Sequence, residues 1–300
     1  MKRPAFTLSE YFGKRFKSKK LQKLAGFTTI VAVTAYMLSA IQGISTLMSS
    51  ITGLSYSFCV IIAWVSFAVF TVWSGSSGVL ITDTIMFLVF LTAAIIGIPF
   101  IVKAAGGWIP AIQNLALSTT KPGIISAGGN LEYLYPTGAE NITWAVTYGI
   151  VWPLVVMISP WQTSRYLMAK DEKTVLKSAV WSSALVIMIT TLLYFSAAFV
   201  QSINPDLVAS QSIIWAAMNL MPKLVGVVLL TGILAAGISS ASTFLSLIGF
   251  SITNDLMNLK GGEVDKQLRI SRVGMIGASV LVLILAYFNP PQIFWIMYFG

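Results

Sequence analysis

Seven stretches of this chain are apolar over lengths that cross a lipid bilayer, and they constrain its fold more than any other feature. A transmembrane helix needs about 20 mostly apolar residues in a row. Long continuous runs predict helices, because membrane-barrel strands alternate apolar and polar residues over about ten positions. The sequence therefore predicts an all-α, polytopic integral membrane protein with seven full transmembrane helices and the start of an eighth. The stretches lie near 24–50, 54–74, 79–105, 141–160, 175–200, 223–256 and 269–289, and the eighth runs from about Pro291 to Gly300.

The shortage of charged residues excludes an ordinary soluble domain. Only 10% of the 300 residues are charged and 56% are hydrophobic, whereas a soluble domain is about one quarter charged. The chain has no histidine and one cysteine, Cys59, which excludes an intrachain disulfide, a histidine-based triad and most zinc sites. Residues 75–78 are glycine-rich but lack the lysine and spacing of a phosphate-binding loop. We therefore predict that the protein is not an enzyme and uses no cofactor.

The basic residues fall into three blocks, which predict an orientation in the membrane. If seven spans alternate, sixteen of the nineteen Lys and Arg residues lie on one side. Cytoplasmic loops are rich in these residues, so residues 1–23 are predicted to be a cytoplasmic basic segment of a protein of the plasma (inner) membrane. The net charge of +9 then reflects topology and does not predict a nucleic-acid partner. The sixteen are Lys2, Arg3, Lys14, Arg15, Lys17, Lys19, Lys20, Lys23, Arg165, Lys170, Lys173, Lys177, Lys260, Lys266, Arg269 and Arg272.

Two connections on the opposite side are long enough to carry structure. Residues 106–140 contain several Pro and Gly residues, and we predict an extracytoplasmic surface loop with a short helix near Trp108–Ala116. Residues 201–222 include an amphipathic piece, 210–220. With Trp215 as an anchor, this piece is predicted to lie at the membrane interface.

Two charged residues lie at the ends of apolar stretches. Asp83 is predicted at the start of the third span, where an acid caps a helix or complements its dipole. The same carboxylate can also attract a cation along an inner exit route, and the two roles are compatible. Arg165 ends the fourth span, where a basic residue commonly anchors a helix on the cytoplasmic side.

The sixth span carries small and hydroxyl-bearing residues on one helix face. Ser239, Ser240 and Thr243 lie 3, 4 and 7 residues after Ala236, which places the four residues together on one face of a helix. Hydroxyls and a backbone carbonyl are neutral, hard oxygen ligands, of the kind that binds and releases a monovalent cation. The alternative is close helix packing through small residues, with each hydroxyl bonded back to its own helix. Spacing alone leaves both open.

Four segments resemble the sodium:solute symporter family. Residues 6–16, F-T-L-S-E-Y-F-G-K-R-F, resemble the family's T-L-P-E-Y-L-G-x-R-F loop, and residues 78–83 resemble its T-D helix start. Residues 165–170, R-Y-L-M-A-K, resemble Q-R-Y-L-A-A-K, and residues 234–243 resemble L-A-A-I-M-S-T-A-D-S. The segments occur in the family's order over nearly the whole chain.

The resemblance implies a partial LeuT-like fold built on an inverted repeat, in which the sixth span is core helix 8. It implies a sodium site formed by the Ala236 carbonyl and the Ser239 and Ser240 hydroxyls, with Asp83 beside the cation exit path. Arg165 belongs to the family's cytoplasmic motif. Trp152, on the family's solute-facing helix, is a weaker candidate for solute contact, since a tryptophan there can equally pack or face lipid.

Three positions depart from the family pattern: Ser242 replaces a frequent Asp, Met86 a frequent Gln, and Ser164 the Gln before the Arg. None removes a sodium ligand, but they weaken any assignment of the solute. By the resemblance, core helices 1 and 2 belong before residue 1, and the chain stops inside core helix 10. We therefore expect 1–300 to be a single transmembrane domain that is a fragment truncated at both ends.

The predicted function is sodium-coupled symport of a small organic solute by alternating access, with sodium as the coupling ion and the lipid bilayer as the other partner. Two alternatives remain open on the sequence: a transporter-like sensor module of a signalling protein, and a non-functional truncated remnant. The solute, the stoichiometry and the oligomeric state do not follow from the residues.

Overall fold

The structure is a computed structural model that describes residues 5, 7–118, 138–167, 169–257 and 264–288. At 72–80, 82, 138–141, 144–145, 209 and 264 it describes the backbone alone. The predicted eighth span, most of the 106–140 loop and the first residues of the basic segment lie outside the described residues.

The described chain is helical. Its α-helices are α1 (Leu8–Arg15), α2 (Lys19–Thr52), α3 (Tyr56–Ala104), α4 (Trp108–Ala116), α5 (Gly138–Ile158), α6 (Pro160–Leu167), α7 (Glu172–Ile203), α8 (Ser212–Asn219), α9 (Lys223–Phe250) and α10 (Val264–Tyr287). A 3-10 turn, Ala209–Gln211, precedes α8, and a π-helical turn, Ser251–Leu256, continues α9. The short helix predicted near Trp108–Ala116 is confirmed as α4.

The apolar segments of these helices follow the predicted order. Five are long and apolar enough to cross a membrane, and two shorter apolar helices, Tyr56–Thr71 and Val146–Ile158, complete the series of seven predicted stretches. This agreement confirms the all-α, multi-pass membrane architecture. The five long segments are Lys19–Thr52, Asp83–Ala104, Glu172–Ile203, Lys223–Leu256 and Asp265–Tyr287.

One predicted boundary is wrong. The stretches 54–74 and 79–105 are joined in α3, which stays helical through residues 75–78. Gly and Ser have low helix propensity, costing up to about 1 kcal/mol each relative to Ala. That cost is small enough for the helix to continue through these residues.

The chain divides into two compact units. Unit 1 comprises 1–86, 158–176 and 234–300, and unit 2 comprises 87–157 and 177–233. The apolar core of unit 1 joins α2, α3, α9 and α10. Its members include Met37, Phe67, Leu245, Ile248 and Val282, all buried.

Unit 2 contains aromatic contacts and a buried side-chain hydrogen bond between its helices. The Trp108 ring on α4 lies 5.1 Å from the Phe199 ring and 6.5 Å from the Phe195 ring, both on α7. Among its polar contacts, buried Gln201 donates a hydrogen bond to the Ser212 hydroxyl of α8. These contacts tie α4 and α8 to the membrane helix α7.

Large apolar side chains are exposed along the long helices. On α7, Val180, Trp181, Ile187 and Tyr194 expose between 65% and 76% of their surface. A water-soluble protein rarely exposes apolar patches of this extent, whereas lipid solvates them. The exposed faces therefore support contact with the bilayer.

Candidate functional site

The three predicted sodium ligands lie on the part of α9 that belongs to unit 1. Ser239 is partly buried, whereas Ala236 and Ser240 are exposed in the described chain. The Ser240 hydroxyl donates a hydrogen bond to the Ala236 carbonyl oxygen at 2.9 Å. The Ser239 hydroxyl instead leaves its own helix and donates to Asp83 Oδ1 on α3. The hydroxyls of adjacent residues thus have different partners.

An ion pair lies beside Ser239. Arg165 Nη2, on α6, is 2.9 Å from Asp83 Oδ2 and 3.0 Å from the Thr243 hydroxyl on α9. The Asp83 side chain is 25% exposed and that of Arg165 is 26% exposed. We call Asp83, Arg165, Ser239 and Thr243 the ion-pair cluster. The roles predicted for Asp83 and Arg165 were separate, and their contact was not predicted from the sequence.

The period of the α-helix explains why the predicted residues lie on two neighbouring stripes of α9. Residues four apart lie on the same side of an α-helix, and adjacent residues are rotated by about 100°. Ser239 and Thr243 therefore form one stripe, which faces the ion pair. Ala236 and Ser240 form the neighbouring stripe. The two stripes are adjacent on the surface of the helix.

Asp83 does not lie at a helix start. It belongs to the interior of α3, so the expected capping or first-turn role is wrong. Because the helix continues through residues 75–78, the backbone N–H groups before Asp83 already have helical partners. The carboxylate is satisfied by Arg165 and Ser239 instead.

Aromatic packing positions Arg165. Helix α5 ends at Ile158, and α6 begins at Pro160, a residue favoured in the first helical turn because it has no N–H to satisfy. The Trp161 ring, one turn before Arg165, lies 4.9 Å from the Tyr36 ring of α2 and 5.7 Å from the Phe244 ring of α9. These contacts hold α6 against α2 and α9. Tryptophan one turn before the arginine was the available sequence signal.

Trp152, the weaker candidate, belongs to unit 2. It is partly buried on α5. Its ring stacks on the Tyr148 ring one turn earlier, with centroids 5.4 Å apart and planes inclined by 14°. Its contact with solute stays a prediction.

The oxygens in and beside the ion-pair cluster are mostly neutral. Ser239, Ser240 and the Ala236 carbonyl offer neutral oxygens, and Asp83 supplies one negative charge that a positive group already neutralises. A divalent ion demands more carboxylates. Within the described residues, no group of three or more His, Cys, Asp or Glu side chains is placed to hold a metal ion.

Known proteins resemble the chain in sequence and in fold. The sequence profile described as "Sodium:solute symporter family" matches residues 1–299. The sodium/pantothenate symporter of Escherichia coli (strain K12) is 25% identical over 97% of this chain and 60% of its own length. The sodium/pantothenate symporter of Haemophilus influenzae is 23% identical over 99% of this chain and 60% of its own length. The chain thus spans about 60% of the length of these relatives.

A solved structure of a Na+-coupled sialic acid symporter, in a substrate-bound outward-open state, shares the fold. The TM-score is 0.77 at 15% identity, over 94% of this chain and 61% of that chain. This likeness confirms the predicted partial LeuT-like transporter fold. Because the family profile covers nearly every residue, the chain belongs to the sodium:solute symporter family.

Proposed function

We propose that the chain takes part in sodium-coupled symport of a small organic solute across the plasma membrane. The observation that carries the proposal is the contact of Ser239 with Asp83, since it joins a hydroxyl of α9 to the carboxylate predicted on the cation exit path. Membership of the family and the sodium-coupled relatives support this function. The N-terminal segment of the chain is proposed to be cytoplasmic.

In this proposal the Ala236 carbonyl and the Ser239 and Ser240 hydroxyls bind sodium. The Ser240 and Ala236 oxygens are 2.9 Å apart, close enough to contact one ion together. When sodium binds, the Ser240 hydroxyl turns its hydrogen away from Ala236 and presents a lone pair to the ion. Hydroxyl oxygens can do this without a change of charge, which makes binding readily reversible.

Arg165 places a positive charge that stays attached to the protein on the proposed cation exit path. While its guanidinium holds Asp83, the carboxylate is neutralised and attracts sodium weakly. When Arg165 swings away, Asp83 draws the ion from Ser239 toward the inner side. The membrane potential adds about 2.3 kcal/mol per charge per 100 mV to this movement. Alternation between the two pairings thus accounts for sodium release without covalent chemistry. Trp152 is proposed to contact the solute.

The test is uptake by the complete gene product in liposomes, with a panel of radiolabelled solutes and with or without a sodium gradient. Replacing both hydroxyls, Ser239→Ala with Ser240→Ala, should raise the sodium concentration for half-maximal uptake by about tenfold or more, the loss of about 1.4 kcal/mol of binding. The control is Ser246→Ala, on α9, whose hydroxyl donates to the Ser242 carbonyl of its own helix. Unchanged sodium dependence of the double variant, at equal abundance, would contradict the site.

A further inference from the structure

A second polar cluster lies at the end of the α9 helix and is used by no step above. Asp255, in the π-helical turn, is 1% exposed. Its Oδ1 atom accepts hydrogen bonds from the Thr7 hydroxyl at 2.6 Å, from Asn254 Nδ2 at 2.9 Å and from Gln22 Nε2 at 3.4 Å. Thr7 precedes α1 and Gln22 lies on α2. One carboxylate therefore joins three helical segments.

The neighbouring residues extend this network. Glu10 of α1 is also 1% exposed; it accepts a hydrogen bond from Asn254 Nδ2 at 3.2 Å and pairs with Lys14 at 2.9 Å. Gln22 Nε2 also donates to the Asn254 carbonyl oxygen at 3.2 Å. We call Thr7, Glu10, Gln22, Asn254 and Asp255 the α1 anchor. Its specific donor and acceptor geometry fixes α1 and α2 against the helix end more tightly than apolar contact alone.

The same network determines how the helix end is rotated. A π-helical turn contains more residues than an α-helical turn, and such turns often occur at functional positions. The turn Ser251–Leu256 follows α9 directly, so the backbone is helical without interruption from Ser239 to Asp255. A rotation of the helix at Asp255 is transmitted along this backbone to the Ser239–Thr243 stripe.

We propose that Asp255 is a positioning residue for the sodium site: through Thr7 and Gln22 it fixes the rotation of the helix that presents Ser239 and Thr243 to Asp83 and Arg165. This inference rests on the proposed sodium site. By reciprocity, an ion that favours one rotation of the helix changes how firmly α1 is held. The firmness with which α1 is docked should therefore change when sodium binds at the proposed site on α9.

Trypsin cleavage after Lys14, Arg15 and Lys17 measures this docking, because a protease needs the surrounding backbone to unfold locally. The complete gene product is placed in lipid nanodiscs and digested in NaCl or in KCl of equal concentration, with cleavage sites read by mass spectrometry. Thr7→Val removes the hydroxyl and keeps the shape of the side chain, whereas Thr7→Ser, the matched control, keeps the hydroxyl.

In KCl, Thr7→Val should raise the cleavage rate about fivefold, as expected for the loss of a buried hydrogen bond, and Thr7→Ser should change it less than about twofold. Sodium should alter cleavage in the wild type and in Thr7→Ser, and this response should be lost in Thr7→Val. Rescue by serine assigns the effect to the Thr7 hydroxyl, which donates to Asp255 and also accepts from the Glu10 N–H at the start of α1; the sodium response is the readout that tests the positioning role.

Equal cleavage of wild type and Thr7→Val in KCl would overturn the anchor. An equal sodium response in wild type and Thr7→Val would overturn the positioning role. Binding of radioactive sodium is measured on the same samples. If sodium binds but leaves cleavage of the wild type unchanged, the positioning inference fails and the proposed function stands. If sodium does not bind, the proposed function fails as well.

Discussion

Two polar clusters of unit 1 contact the same long helix, and they differ in how much water reaches their charges. In the ion-pair cluster, Asp83 and Arg165 keep about a quarter of their side-chain surface exposed. In the α1 anchor, Glu10 and Asp255 each expose only 1%. Water stabilises charges that separate, so an exposed pair exchanges partners more easily than a buried one. The exposure of the ion-pair cluster is thus consistent with the proposed exchange of Arg165 for sodium, and the burial of the α1 anchor with the proposed role of holding helices in place.

The largest expected effect comes from removing one carboxylate of each cluster, which tests this comparison directly. Asp255→Ala leaves the buried Thr7 hydroxyl without its acceptor and Gln22 with the Asn254 carbonyl alone, and should lower the free energy of unfolding by about 3 kcal/mol. Asp83→Ala leaves an arginine that water can still hydrate, and should cost about 1 kcal/mol. Unfolding by SDS in mixed micelles measures both.

The control for this pair is Asp206→Ala, since Asp206 is exposed and should change stability by less than about 0.5 kcal/mol. Equal losses at Asp255 and Asp83 would show that burial does not distinguish the two clusters.

A second, smaller effect tests how closely the α1 anchor is packed. A Cβ atom placed on Gly26 of α2 would lie 2.6 Å from the Asp255 Cβ, whereas one on Gly43 of the same helix would meet nothing within 4 Å. Gly26→Ala should therefore destabilise the protein by about 2 kcal/mol through overpacking. Gly43→Ala should stabilise it by up to about 1 kcal/mol, the gain in helix propensity. The same SDS titration measures the difference, and a stabilising Gly26→Ala would contradict the close approach.

The fold was largely predictable because a transmembrane helix can be recognised from the length of one apolar run, without knowledge of contacts between distant residues. The span over 223–256 and the helix at Trp108–Ala116 need only neighbouring residues to be recognised. The break expected between 54–74 and 79–105 failed for a local reason too. Gly and Ser were expected to end the helix, but their low helix propensity, about 1 kcal/mol or less each, did not do so.

The contacts of both clusters were not predictable in the same way. Asp83 and Arg165 are 82 residues apart, and Thr7 and Asp255 are 248 apart. The spacing of residues along one sequence cannot pair such distant side chains. A usable signal did exist for Asp83 and Arg165, because opposite charges at the edges of apolar spans need each other's charge. For Asp255 no pattern distinguished a helix-end acid from an anchor, and the π-helical turn that orients it has no simple sequence signature.

The smallest expected effect extends the comparison to Asp171, an exposed carboxylate outside the membrane-spanning segments. At the start of α7 it accepts a hydrogen bond from the Thr174 N–H at 2.7 Å. Hydrogen bonds from the Thr174 side chain and then its backbone lower the pKa of Asp171 below its ordinary value of 3.8. Because the folded-state pKa is the lower one, the stabilising contribution is complete above the ordinary value and is lost as the pH falls through the folded-state pKa.

Asp171→Ala should therefore lower the Tm slightly at neutral pH, and the difference from wild type should shrink as the pH falls below 3.8. Thermal unfolding across that range checks the sign, with Asp171→Asn as the control that keeps an acceptor oxygen but removes the charge. If the difference in Tm between Asp171→Ala and wild type grows on acidification, the Asp171 carboxylate is not stabilised by Thr174. The exposed fraction alone would then not explain the order of the effects at Asp255, Asp83 and Asp171.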